Sequence, residues 1–247
     1  MKNVLVISFL LFSFANLFAN NEAFENANAA YKEGNFALAT DVYQSILQEG
    51  KSSDVYYNLA NCYFKTGQFP EAILHYERAL QLAPNDKEIL YNLRMANLQL
   101  KDKIQPKPEF FLLTWWQQFA QMQTANFWTI SFLIFLWGSI SLLLLFAFLN
   151  STFRNLFFYG GFIGLFISFL LLFLSITQHI AETKSNEAII MNASISVKSE
   201  PVSSGKDLFI IHSGLKVKIV QEENNWFNIR LQDGKEGWVK MDALERI

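Results

Sequence analysis

The side chains that most often carry acid–base, nucleophilic or metal chemistry are sparse in this chain of 247 residues. It has three histidines, His75, His179 and His212, far apart in sequence, and one cysteine, Cys62. No His/Glu cluster has ligand spacing, no glycine-rich phosphate loop opens a helical pattern, and no nucleophile elbow occurs. The expectation is therefore no catalytic residue, no cofactor and no metal: the chain is not an enzyme. A lone cysteine cannot close an internal disulfide, and Cys62 sits among small residues where a buried, inert thiol is expected. The chemistry that recurs is that of contact. Tyr57, Asn61 and Phe64 are separated by four and then three residues, which puts them on one helix face. Phe24, Asn28, Tyr31, Asn58 and Tyr91 are expected on the same concave surface. Aromatic rings in such a patch are hot spots for binding a second polypeptide, and the amides would hydrogen-bond to it.

The elements that must position these residues are helix pairs. Leu59, Ala60, Tyr63, Gly67, Phe69, Ala72, Tyr76, Ala79 and Pro84 place small residues where two helices touch and aromatics where they interlock. Gly34, Phe36, Ala39 and Tyr43 each precede Gly67, Phe69, Ala72 and Tyr76 by 33 residues, and Tyr91-Asn92-Leu93 repeats Tyr57-Asn58-Leu59. This order resembles the tetratricopeptide repeat, a unit of about 34 residues that stacks helices into a binding surface. Repeats are expected over 20–52 and 53–86, with a capping helix from about Asp86 to Lys103. Pro70 suits the start of a helix, and Gly34 and Gly67 suit tight turns. Some such proteins grip a C-terminal carboxylate; Asn28 and Asn58 stand at the asparagine positions of that clamp, whereas Phe24, Glu88 and Asn92 replace its basic residues. The groove is expected to take an apolar or amide-rich segment instead.

The middle of the chain is a different material. The formal charge of -2 and the 51% apolar content average over a polar front, an apolar centre and a mixed tail. Neither Phe127–Leu149 nor Leu156–Ile176 carries a charge, and about 20 apolar residues suffice to cross a bilayer. Two transmembrane helices are expected at 127–149 and 156–176, joined by a short link into a hairpin. Gly160, Gly164 and Ser168 fall four apart, a helix-packing stripe expected to meet the first span near Gly138 and Ser141. Trp115, Trp116 and Trp128 suit the outer membrane interface, along which the 104–126 linker is expected to lie. Lys2, the apolar run from Val4 to about Phe14, and Ala15 and Ala19 follow the plan of a signal peptide over residues 1–19. With an even number of later spans, repeats and tail both face outward. Nucleic acid is not an expected partner, because residues 20–100 hold ten acids against six bases and the chain is exported.

From about Glu187 the pattern alternates with period two. Ile195–Val197, Leu208–Ile211, Leu215–Gln221, Trp226–Gln232 and Lys235–Lys240 read as five strands. Asp233-Gly234 favours a tight primed turn. Val197 to Pro201, His212-Ser213-Gly214, Trp226 and Gly237-Trp238-Val239 resemble the bacterial SH3-like domain, expected at 186–247, with tryptophans packing the barrel. Lys198-Ser199 replace the asparagine-arginine pair usual in that family.

The whole is thus expected to be a multidomain membrane protein: an all-α tetratricopeptide repeat domain, a two-helix transmembrane hairpin and an all-β SH3-like barrel. This order of parts resembles the BatE-type repeat proteins of the Bacteroides aerotolerance (Bat) operon family. The resemblance implies a multi-pass protein of the bacterial inner membrane, with repeats and barrel in the periplasm. It also implies von Willebrand A-domain membrane proteins and an associated AAA+ ATPase system as partners, in oxidative or aerotolerance stress. The expected role is a scaffold for protein–protein interaction. The alternative is a peptidoglycan-binding module that recruits cell-wall synthesis or division enzymes.

Overall fold

The computed structural model describes residues 22–104, 107, 111–120, 122–148, 153–183 and 186–247. The signal peptide expected over residues 1–19 lies outside them. The chain forms two compact units, one from the residues up to Lys107 together with those from Asn186 onward, the other from Pro108 to Ser185.

In the first unit, helices α1 (22–32), α2 (Phe36–Glu49), α3 (Ser53–Lys65), α4 (Phe69–Leu82) and α5 (Lys87–Asn97) follow one another. Both helical pairs turn in the same way. Gly34 and Gly67 take φ of 79° and 77°, where a Cβ would be strained. Asn35 donates its amide to the Ala30 carbonyl, as Gln68 does 33 residues later to Tyr63. Asn35, Ser52 and Asp86 cap α2, α3 and α5 with side-chain oxygens, while Pro70 lies in the first turn of α4, whose amides need no helical partner. Leu59, Ala60, Ala72, Ala79 and Cys62 are fully buried between the helices. Burial raises the Cys62 thiol pKa to about 11, which leaves it protonated and inert. The capping helix stops at Asn97, short of the expected Lys103, because the chain beyond turns to meet the sheet.

That sheet has seven antiparallel strands, not five: β1 (Glu187–Ile190), β2 (Ser194–Lys198), β3 (Asp207–His212), β4 (Lys216–Glu223), β5 (Trp226–Arg230), β6 (Glu236–Lys240) and β7 (Leu244–Arg246), ordered β3-β2-β6-β5-β4-β1-β7. Val217 and Ile219, Phe227 and Ile229, and Val239 alternate inward to form its core. Trp238 is buried too, but it adjoins the inward-facing Val239 along β6 and so takes the opposite side, opposite Asn228 and Lys198 in register. The tight primed turn falls at Asn224-Asn225, both with positive φ, where Glu223 pairs with Trp226. Asp233-Gly234 instead lies in a longer loop between β5 and β6.

Repeats and barrel are one body. Ile189 of β1 is fully buried in the cluster built by Ile73, Leu74 and Ile89, and Met191 and Ile247 pack on it. Lys216 reaches across to Glu77 at 2.9 Å and back to Glu187 at 2.8 Å. Burial works against its ammonium, yet the two carboxylates raise its pKa above the ordinary lysine value. Burial likewise raises the Glu77 pKa above the ordinary carboxylate value, with the Lys216 ammonium beside it working the other way. Arg78 bonds Glu245 and the Arg246 carbonyl, and the His212 amide and ring both meet Asp102.

The second unit contains α6 (Phe111–Ala120), α7 (Ala125–Phe148) and α8 (Arg154–Thr183). The expected linker therefore holds a helix, whose Trp116 and Phe119 pack on Trp128 and Leu174. Both α7 and α8 are long and apolar enough to cross a membrane, with only 6% and 11% of their most apolar windows buried. A core helix of a soluble domain would be mostly covered. Contacts of Gly160 with Leu142, Gly164 with Ser139, and Thr129 with Ser175 run in opposite senses along the two helices, which are antiparallel. In the structure Gly160 and Gly164 face α7 at Leu142 and Ser139. Gly138 has open space around its Cα and Ser141 is exposed. Ser168 is buried.

Candidate functional site

The eight expected groove residues fall into two hollows that share Tyr57. Tyr31, Tyr57, Asn61, Phe64 and Tyr91 line a cavity of about 480 Å³ with Asn92, Met95, Lys65 and Gln99. Phe24, Asn28 and Asn58 line a second of about 310 Å³ with Asp54, Asp86 and Glu88. The helix spacing explains the assembly: α1, α3 and α5 are the first helices of successive pairs, and their like faces stand side by side.

The amides do not all point at a partner. The Tyr43 hydroxyl donates to Asn28 Oδ1 at 2.6 Å, and Asn58 Nδ2 donates to the same oxygen at 3.1 Å. One repeat later, the Tyr76 hydroxyl donates to Asn61 Oδ1 at 2.6 Å, and Asn92 Nδ2 donates at 3.1 Å. Both tyrosines are buried to 1% exposure, so each hydroxyl needs this acceptor. Burial raises the Tyr43 pKa to about 12 and that of Tyr76 further still. Asn28 and Asn61 thus tie each repeat together with one side-chain oxygen. Asn92 also donates to the Tyr57 hydroxyl at 2.9 Å, fixing that ring in the wall. Phe64 meets Phe69 edge to face at 5.6 Å, as Tyr31 meets Phe36 at 5.4 Å, so Phe64 is held within its own repeat. Tyr91, 60% exposed, is the ring most open to a ligand.

Met95, Lys65 and Gln99 were not singled out by sequence reasoning. Met95 lies one turn beyond Tyr91, a spacing that the end of the second repeat signal obscured. His75 lies outside the groove, stacked between Tyr56 and Tyr63 at centroid distances of 5.8 and 5.4 Å. Burial lowers its pKa to about 3, so it is neutral. Among the described residues no three His, Cys, Asp or Glu side chains gather as a metal site requires.

Comparison with known proteins assigns the parts. Residues 53–86 match the tetratricopeptide repeat family, and residues 193–245 match the bacterial SH3 domain family. Sperm-associated antigen 1 of Rattus norvegicus is 34% identical over 79 residues, covering 32% of this chain and 9% of that protein. The chain therefore spans about a tenth of that relative's length. These modules are suited to binding and protein–protein interaction.

Proposed function

We propose that this chain is a non-enzymatic, membrane-anchored adaptor of the BatE type, which assembles an envelope complex by holding a partner polypeptide in its repeat groove. The observation that carries the reading is the pair of hollows sharing Tyr57, walled by aromatic and amide side chains. Such a surface offers area and hydrogen bonds but no reacting group.

The single body formed by repeats and barrel supports the topology. Glu77 and Lys216 lie 139 residues apart yet share one ion pair, so both must reside in one aqueous compartment. The segment between them then crosses the bilayer an even number of times, which two antiparallel apolar helices satisfy. In this reading the hairpin is an insertion in one extracytoplasmic domain of an inner-membrane protein. Alkaline phosphatase fused after Ile247 should be active, and fused at Arg154 inactive. The reverse pattern would sink the arrangement.

The partners proposed are von Willebrand A-domain membrane proteins working with an AAA+ ATPase. A photocrosslinking amino acid at Tyr91, in the full chain in cells, should give adducts that mass spectrometry identifies as such proteins. The same probe at Leu38, exposed on α2 away from both hollows, should not. Absence of adducts at 91, or equal adducts at 38, refutes groove docking.

A further inference from the structure

We infer that the groove recognises a segment bearing a lysine or arginine side chain, seated in the hollow between Phe24 and Tyr57. This rests on the groove reading above and adds to it the chemistry of the occupant. The expectation from sequence was an apolar or amide-rich segment; the geometry adds charge. Three carboxylates, Asp54, Asp86 and Glu88, line this hollow, and no lysine or arginine does. Asp86 spends Oδ1 on capping α5, accepting from the amides of Glu88 and Ile89. Asp54 and Glu88 make no side-chain hydrogen bond or ion pair among the described residues.

Two aromatic rings complete the hollow, and a cation gains from a π face as well as from carboxylates. A guanidinium or ammonium with an aliphatic stem matches both surfaces at once, since the stem packs on the rings while the head meets the acids. The larger hollow differs in sign, holding Lys65 and no acid. The groove is therefore polar end to end, which orders an extended ligand: its cationic residue lies toward the α3 and α5 N-termini, and its apolar or amide residues lie toward Tyr91 and Met95. A C-terminal carboxylate directed at Glu88 would be repelled.

The test is a display selection of random twelve-residue peptides on the full chain in detergent micelles, with the Asp54→Asn/Glu88→Gln variant in parallel. Both substitutions are at exposed positions and leave the Asp86 cap intact. Wild type should enrich peptides with a lysine or arginine beside apolar residues, and the variant should lose that enrichment. The best peptide, labelled and measured by fluorescence anisotropy at low salt, should bind the variant about tenfold more weakly. High salt should bring wild type down toward the variant. Enrichment without basic preference, with binding lost in Tyr91→Ala, overturns the charge inference and keeps the groove. Peptides indifferent to Tyr91→Ala, or no enrichment at all, overturn both.

Discussion

Replacing Lys216 by methionine isolates the contact that makes repeats and barrel one body. The substitution keeps the apolar stem and removes the ammonium, leaving Glu77 with its side chain 14% exposed beside a second carboxylate, Glu187, 43% exposed. An exposed pair contributes about 0–1 kcal/mol, and breaking a buried one costs about 3–5 kcal/mol. Glu77 stands nearer the buried limit and Glu187 nearer the exposed one, so the expected loss is about 2–3 kcal/mol. A folded unit of this size loses about 2–4 °C of melting temperature per kcal/mol, which gives a fall of roughly 4–12 °C. Thermal unfolding of the full chain in detergent, followed by circular dichroism at neutral pH, reads it directly. Adding Glu77→Gln to Lys216→Met removes the stranded charge and should restore part of the loss. A melting temperature within about 1 °C of wild type, together with a coupling energy below about 0.3 kcal/mol in the double-mutant cycle, would refute the reasoning.

Asn61→Ala should cost about 1–3 kcal/mol because it strands the buried Tyr76 hydroxyl; adding Tyr76→Phe should recover most of it, and a neutral Asn61→Ala would remove the amide from its assigned role. His75 takes up its proton at about 3 when folded and near 6.5 when unfolded, so stability present above pH 6.5 is lost as pH falls toward 3. The loss from this group is about 2 kcal/mol at pH 5; an unchanged acid slope in His75→Phe would contradict it. Trp238→Ala, cutting a ring that is 8% exposed, should lower the melting of repeats and barrel together, by about 3–5 kcal/mol. Loss of the barrel signal alone would show that the two melt separately.

Sequence reached the repeat helices because their signal is local and periodic. Gly34 and Gly67, 33 residues apart, mark identical turns, and Leu59, Ala60 and Ala72 recur at packing positions. It reached β2 through β6 for the same reason. β1 and β7 are four and three residues long and pair with each other, β1 also with β4, so no alternation could reveal them. The groove residues were legible by face, but their bonding was not. Asn28 and Asn61 serve buried tyrosines on the following helix, a duty that spacing cannot distinguish from ligand contact. The bond between Glu77 and Lys216 has no sequence signature, and two modules that look separable by composition prove inseparable in space.

The interruption of one folded body by a hairpin sets an order of events during synthesis. Ile73 and Glu77 leave the ribosome well before the residues that cover them. At about 5–20 residues per second, the 139 positions to Lys216 take roughly 7–28 s. Throughout that interval the outer side of α4 is an incomplete apolar face with an unmatched carboxylate. The nascent repeats must persist in that state while α6, α7 and α8 are made, and only the final strands release them from it. Because Ile247 itself packs on this cluster, a chain cut a few residues short would remain unfinished after every other element had been made.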